Sequence, residues 1–110
     1  MSSQQIPEAD WHILTRLKPV ALDRLCSRIL KKATKIAGDE TQGSTHERYL
    51  KLYGHINNSD KEIARCFNNW RRSDALFILA NWNREKLITD QEFGTLSEFT
   101  RNSVNLIISL

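Results

Sequence analysis

Apolar residues recur along this 110-residue chain mainly at spacings of three and four, the repeat of an α-helix. The densest stretch is Trp70 to Ile88. Ala75 to Ala80 form an unbroken apolar run, Trp82 follows two residues on, and no Gly or Pro interrupts. A strand would fit the run alone. Its continuation into Asn-Arg-Glu-Lys-Leu-Ile predicts a helix, apolar nearly all round and so buried on most sides. The other helices are expected to pack against it, together with a second copy of the chain.

The flanking pattern predicts three further units. Pro7 fits a first helical position, with Glu8 and Asp10 near the helix start, after a loose tail over 1–7. That helix is expected to end or kink at Pro19. From Val20, Leu22, Leu25, Ile29, Ala33 and Ile36 mark one face, and Arg24, Arg28, Lys31 and Lys35 a basic stripe on another, up to Gly38. Residues 38–43 read as a loop. Ser44 with Glu47 forms a capping box before Tyr49, Leu50, Leu52, Tyr53 and Ile56. Asn57 to Asp60 suggests a break, with Ser59 and Glu62 as a second box; Asn68-Asn69 is a further weak point and Ser73 a further cap. Thr89 and Glu92 make a third box before a last helix carrying Phe93, Leu96, Phe99 (or Thr100), Val104, Ile107 and Ile108. The expected fold is all-α: one domain over 1–110, three to five helices, elongated, an antiparallel homodimer. Three or four helices form too thin a layer to bury both the 75–80 run and a second apolar surface at Tyr49, Leu50, Tyr53 and Ile56, so a second copy is the simplest cover.

Composition adds little to this, and charge adds one thing. The net charge is +3, yet residues 11–37 hold seven bases against one acid, Asp23, leaving the rest of the chain at −3. That asymmetry suggests an acidic partner surface. No apolar run is long enough to span a bilayer and the first ten residues lack a signal-peptide pattern, so a cytoplasmic protein is expected, without membrane insertion. Cys26 and Cys66 lie far apart, outside any CxxC pair, and read as free thiols.

Chemical motifs are lacking. His12, His46 and His55 have no metal-ligand spacing, and no phosphate loop, GxSxG or HExxH is present. No catalytic, cofactor-binding or metal-binding residue is expected, and the chain reads as no enzyme. Two features suggest binding instead. The stripe of Arg24, Arg28, Lys31 and Lys35 suits phosphates or an acidic protein, against the commoner case of a solvated helix face. Arg71 and Arg72 beside Trp70 suit a partner anchor, against a core tryptophan with its arginines paired to Asp74 or solvent.

The segment KLYGHINNSDKEIARCFNNWRRSDALFILANWNREKLITDQEFGTL, residues 51–96, resembles the fluorescence recovery proteins, small helical dimers of cyanobacteria. With one extra residue near Trp70, the matching positions are Lys51, Leu52, Glu62, Ile63, Arg71, Ser73, Phe77, Ala80, Glu85, Leu87, Glu92 and Leu96. Residues 11–50 share a basic amphipathic helix and few identities. The resemblance implies a cofactor-free homodimer that binds the photoactivated orange carotenoid protein, or a related carotenoid-binding protein, and speeds its return to the inactive form. It implies partner contacts through the segment from Arg71 and Arg72 to Phe77, and through Tyr53 and Asp60 on the middle helix. Where the family has Trp, His, Asp and a later Arg, this chain has Leu50, Tyr53, Gly54 and Asp60, and an Arg-to-Asp reversal turns attraction into repulsion. The break expected at 57–60 also falls where the family helix is continuous. A changed partner follows from these departures. A basic helical nucleic-acid-binding regulator is the alternative.

Overall fold

A computed structural model describes residues 5–110; of the tail expected over 1–7, residues 1–4 lie outside the described residues. Five α-helices follow in order: α1 (Glu8–Gly38), α2 (Thr45–Phe67), α3 (Ala75–Arg84), α4 (Asp90–Phe93) and α5 (Glu98–Ile108), with a 3-10 turn at Arg72–Asp74 before α3. No strand occurs among the described residues. The molecule is all-α and elongated, 58 × 27 × 24 Å. No helix among these residues is long and apolar enough to cross a membrane.

The first helix corrects the expectation at Pro19, because α1 runs through it without ending. Proline removes one backbone hydrogen bond, to Thr15, but the apolar register carries across it. Leu14, Ala21 and Leu25, spaced by seven and four, are all buried on one face, and that packing holds both halves in one helix. Pro19 itself faces solvent.

Loop 39–44 separates α1 from α2 as expected, and the Ser44–Glu47 capping box opens α2. The break at 57–60 does not occur. Ser59 is buried inside the helix and its hydroxyl donates to His55 O at 2.7 Å, so it does not cap, and Glu62 makes no box. The stop comes at Asn68-Asn69, where Asn69 takes φ 57°, a left-handed conformation that asparagine tolerates.

The central helix is shorter than the expected 70–88. Trp70 lies in the connection before it, and α3 closes with Lys86 at φ 56°. There Leu87 N–H reaches back to Trp82 O at 2.8 Å and Lys86 N–H to Asn83 O at 3.1 Å, the double bond of a Schellman ending. Ser73 sits in the 3-10 turn and caps nothing. The last helix is divided: α4 carries the Thr89–Glu92 box, and α5 starts afresh at Ser97. Thr100, not Phe99, faces inward.

The core occupies one end. Leu14, Ala21 and Leu25 of α1, Cys66 and Phe67 of α2 and Val104 of α5 surround Ala75, Ile78, Leu79, Ala80 and Trp82 of α3. A single chain thus buries one side of α3, leaving Phe77 outside the core. Trp11, Trp70 and Trp82 stack in series at 5.0 and 6.0 Å, with Trp82 Nε1 donating to Cys66 O. From this head, α1 and α2 project as a two-helix arm. Between Leu25 and Ser59 no residue is buried.

Candidate partner-binding surfaces

The head presents two aromatics to solvent, Phe99 on α5 at 44% exposure and Phe77, the more open of the two. Phe77 is 61% exposed on α3, where the apolar run faces away from the core. It shares a shallow depression of about 220 Å³ with Arg71, Asp74 and Asn81. Arg71 Nε donates to Asp74 Oδ2 at 3.0 Å, a pair on the surface worth little to stability and easily exchanged for a partner's carboxylate. Arg72 is held differently. It is half-buried and its guanidinium donates twice to Ile6 O, at 3.2 and 2.8 Å, tying the chain's beginning to the 3-10 turn. So Arg71 and Phe77 come together, and Arg72 is occupied inside the molecule.

On the arm, Tyr49, Leu50, Tyr53 and Ile56 are 61, 50, 62 and 39% exposed. Tyr49, Tyr53, Ile56 and Asp60 follow spacings of four, three and four, so the exposed Asp60 continues the tyrosine stripe toward the head. Leu30 of α1 is exposed as well. These apolar side chains are open to solvent on a part of the structure one helix pair thick. No family model, curated protein or solved structure matches the chain.

The basic stripe divides by position. Arg24 forms a two-pronged ion pair with Glu92, at 2.7 and 3.0 Å, and also donates to Leu87 O. Glu92 completes the Thr89 capping box, so one carboxylate fastens α4 to α1 and closes the helix start. Hydrogen bonds from Arg24 hold the Glu92 carboxyl down at about 2, from a usual 4.5. Arg28 donates to Glu85 O and Lys86 O, satisfying carbonyls left open beyond α3. Lys31 and Lys35, further out, are exposed and take part in none of the ion pairs among the described residues.

Sequence reasoning assigned no binding surface to Lys32, Lys51 and Gly54, which line a groove with this outer part of the stripe. The available signal was the i, i+4 series Arg28, Lys32, Ile36 on α1 opposite Lys51 and His55 on α2. Among the described residues no group of three or more His, Cys, Asp or Glu is placed to hold a metal ion. Cys66 is buried and its thiol is pushed up by burial, so it is a poor nucleophile; Cys26 is half-buried and free.

Proposed function

We propose that this chain is a non-enzymatic regulator that works by protein–protein contact, as a homodimer, in the manner of the fluorescence recovery proteins. The observation carrying this reading is the arm, with Tyr49, Leu50, Tyr53 and Ile56 uncovered on a helix pair that has no further layer to cover them. A second copy laid antiparallel on that face would remove it from water. The Arg71–Phe77 depression on the head then remains for the partner, an orange carotenoid protein or a related carotenoid-binding protein in the cytoplasm. Phe77 supplies an aromatic anchor and Arg71 an exchangeable charge, the residue types that dominate interface energetics. To speed relaxation of a photoactivated partner, the regulator must bind the conformation at the barrier more tightly than the activated one.

The test is the dark recovery of a photoactivated orange carotenoid protein with and without this chain. Acceleration that is lost in Phe77→Glu and reduced in Arg71→Glu is the expected result. No acceleration at high excess would remove the activity. The alternative of nucleic-acid binding has one observation in its favour, that Lys31 and Lys35 are exposed and in no ion pair among the described residues. Arg24 and Arg28 are bound internally, which shortens the phosphate-binding stripe. Gel-shift affinity for random duplex falling steeply with salt would favour that alternative.

A further inference from the structure

On a side of the arm lined by neither the tyrosines nor Phe77, two adjoining depressions of about 660 and 620 Å³ share Arg28, Lys32, Ile36 and Lys51 and form one trench between α1 and α2. Its floor is apolar, from Leu25 through Ile29 to Ile36, about 16 Å or three helical turns at 1.5 Å per residue. Its rim toward the tip is cationic. Lys31, Lys32 and Lys35 are exposed with no ion-pair partner among the described residues, and Lys51 Nζ donates only to the neutral Gln42 Oε1, at 2.9 Å. One acid, Asp39, lies at the tip end, where it accepts from Thr41 and stands near Lys35; Glu85 accepts from Arg65, and Glu62 and Glu85 both lie at the head end, so the lysines outnumber the acid at the tip.

A second observation points to an occupant. Gly54 lies inside α2, where glycine is among the weakest helix formers. Its φ is not positive, and a Cβ there would meet nothing within 4 Å. Neither backbone conformation nor packing in this chain calls for a glycine. Gly54 lines the trench, and bare backbone at that point lets another chain approach closely.

We propose that the trench seats an acidic amphipathic helix of a partner protein. Its apolar side rests on Ile29 and Ile36, it passes over Gly54, and its carboxylates face Lys32, Lys35 and Lys51. Such helix-in-groove docking needs an apolar floor and flanking charge together. Nucleic acid fits less well, because phosphates gain nothing from an apolar floor. The proposal is independent of the carotenoid-protein reading, since it uses none of Arg71, Phe77 or Tyr53.

The experiment measures fluorescence anisotropy of a labelled 18-residue synthetic helix with leucines on one side and glutamates flanking them. A scrambled peptide of the same composition and a random duplex DNA are run in parallel. The patterned peptide is expected to bind at least about tenfold tighter than the scrambled one. Lys32→Glu with Lys51→Glu should lower its affinity about tenfold or more. Gly54→Leu, which adds bulk into open space, should do likewise while circular dichroism shows undiminished helicity; Gly54→Ala serves as a second, smaller insertion that favours the helix. Equal binding of the scrambled peptide would overturn the proposal, as would tighter binding of the DNA or unchanged affinity in Gly54→Leu. So would a fall in self-association in the Gly54→Leu chain, which would identify the occupant as a second copy.

Discussion

Asp10 shows how much a single polar side chain can organise. It is buried at the start of α1, yet its carboxylate accepts from Ser97 N–H at 3.1 Å, from the Ser97 hydroxyl at 2.6 Å and from the Thr100 hydroxyl. It therefore sits at the amino ends of two helices, where backbone N–H groups favour negative charge. The sequence suggested the first of these places and not the second, because Ser97 and Thr100 are some ninety positions away. Asp10→Ala, which orphans these donors, should cost about 2–3 kcal/mol, read as a lower urea midpoint. Glu92 gives a prediction in pH. Its carboxyl is depressed from 4.5 to about 2, so its contribution to stability is present above pH 4.5 and is lost as pH falls toward 2. With a quarter of the side chain open to solvent, that contribution is about 2 kcal/mol. Glu92→Gln should lower the urea midpoint at pH 7 and flatten its decline between pH 4.5 and 2.

Helices were legible where periodicity and caps agreed, and misread where a local signal opposed tertiary packing. The Ser44 and Thr89 boxes stand as read, and so does the stop after Gly38. Pro19 was the strongest local breaker, and Leu14, Ala21 and Leu25 overrode it by staying in register across it. Because the proline is exposed and costs the helix a hydrogen bond, Pro19→Ala should raise stability by about 1 kcal/mol or more, seen as a higher thermal midpoint. Asn57-Asn58-Ser59-Asp60 looked like a turn, but Ser59 turns its hydroxyl back on His55 O and the helix continues. The end of α3 was overshot because its stop residue is Lys86, and lysine gives no sign of a left-handed conformation. Lys86→Gly should relieve that backbone and gain about 0.5–1 kcal/mol, checked by urea unfolding.

At the level of the molecule, composition and pattern indicated an elongated helical protein but not its division into a packed head and a bare arm. That division depends on which residues meet at long range, and no short window holds it. The candidate surfaces were legible in part. Tyr49 and Tyr53 were assigned to a dimer face and Phe77, through the family resemblance, to a partner contact, whereas the loss of Arg24 and Arg72 to internal contacts required their distant partners, Glu92 and Ile6 O. If the tyrosine face closes a dimer, Tyr49→Glu with Tyr53→Glu should halve the mass found by light scattering at the concentration where the parent chain is dimeric; a parent that is a fully helical monomer when dilute would refute the dimer.

The stretch between Leu25 and Ser59, with no buried residue, also sets a timescale. Two helices joined only along one seam are expected to open in parts, so that their backbone amides should exchange with deuterium before those of α3. Whatever docks on either side of the arm must slow that exchange, so a deuterium-uptake map recorded with and without a candidate would reveal which side it covers before any complex is crystallised.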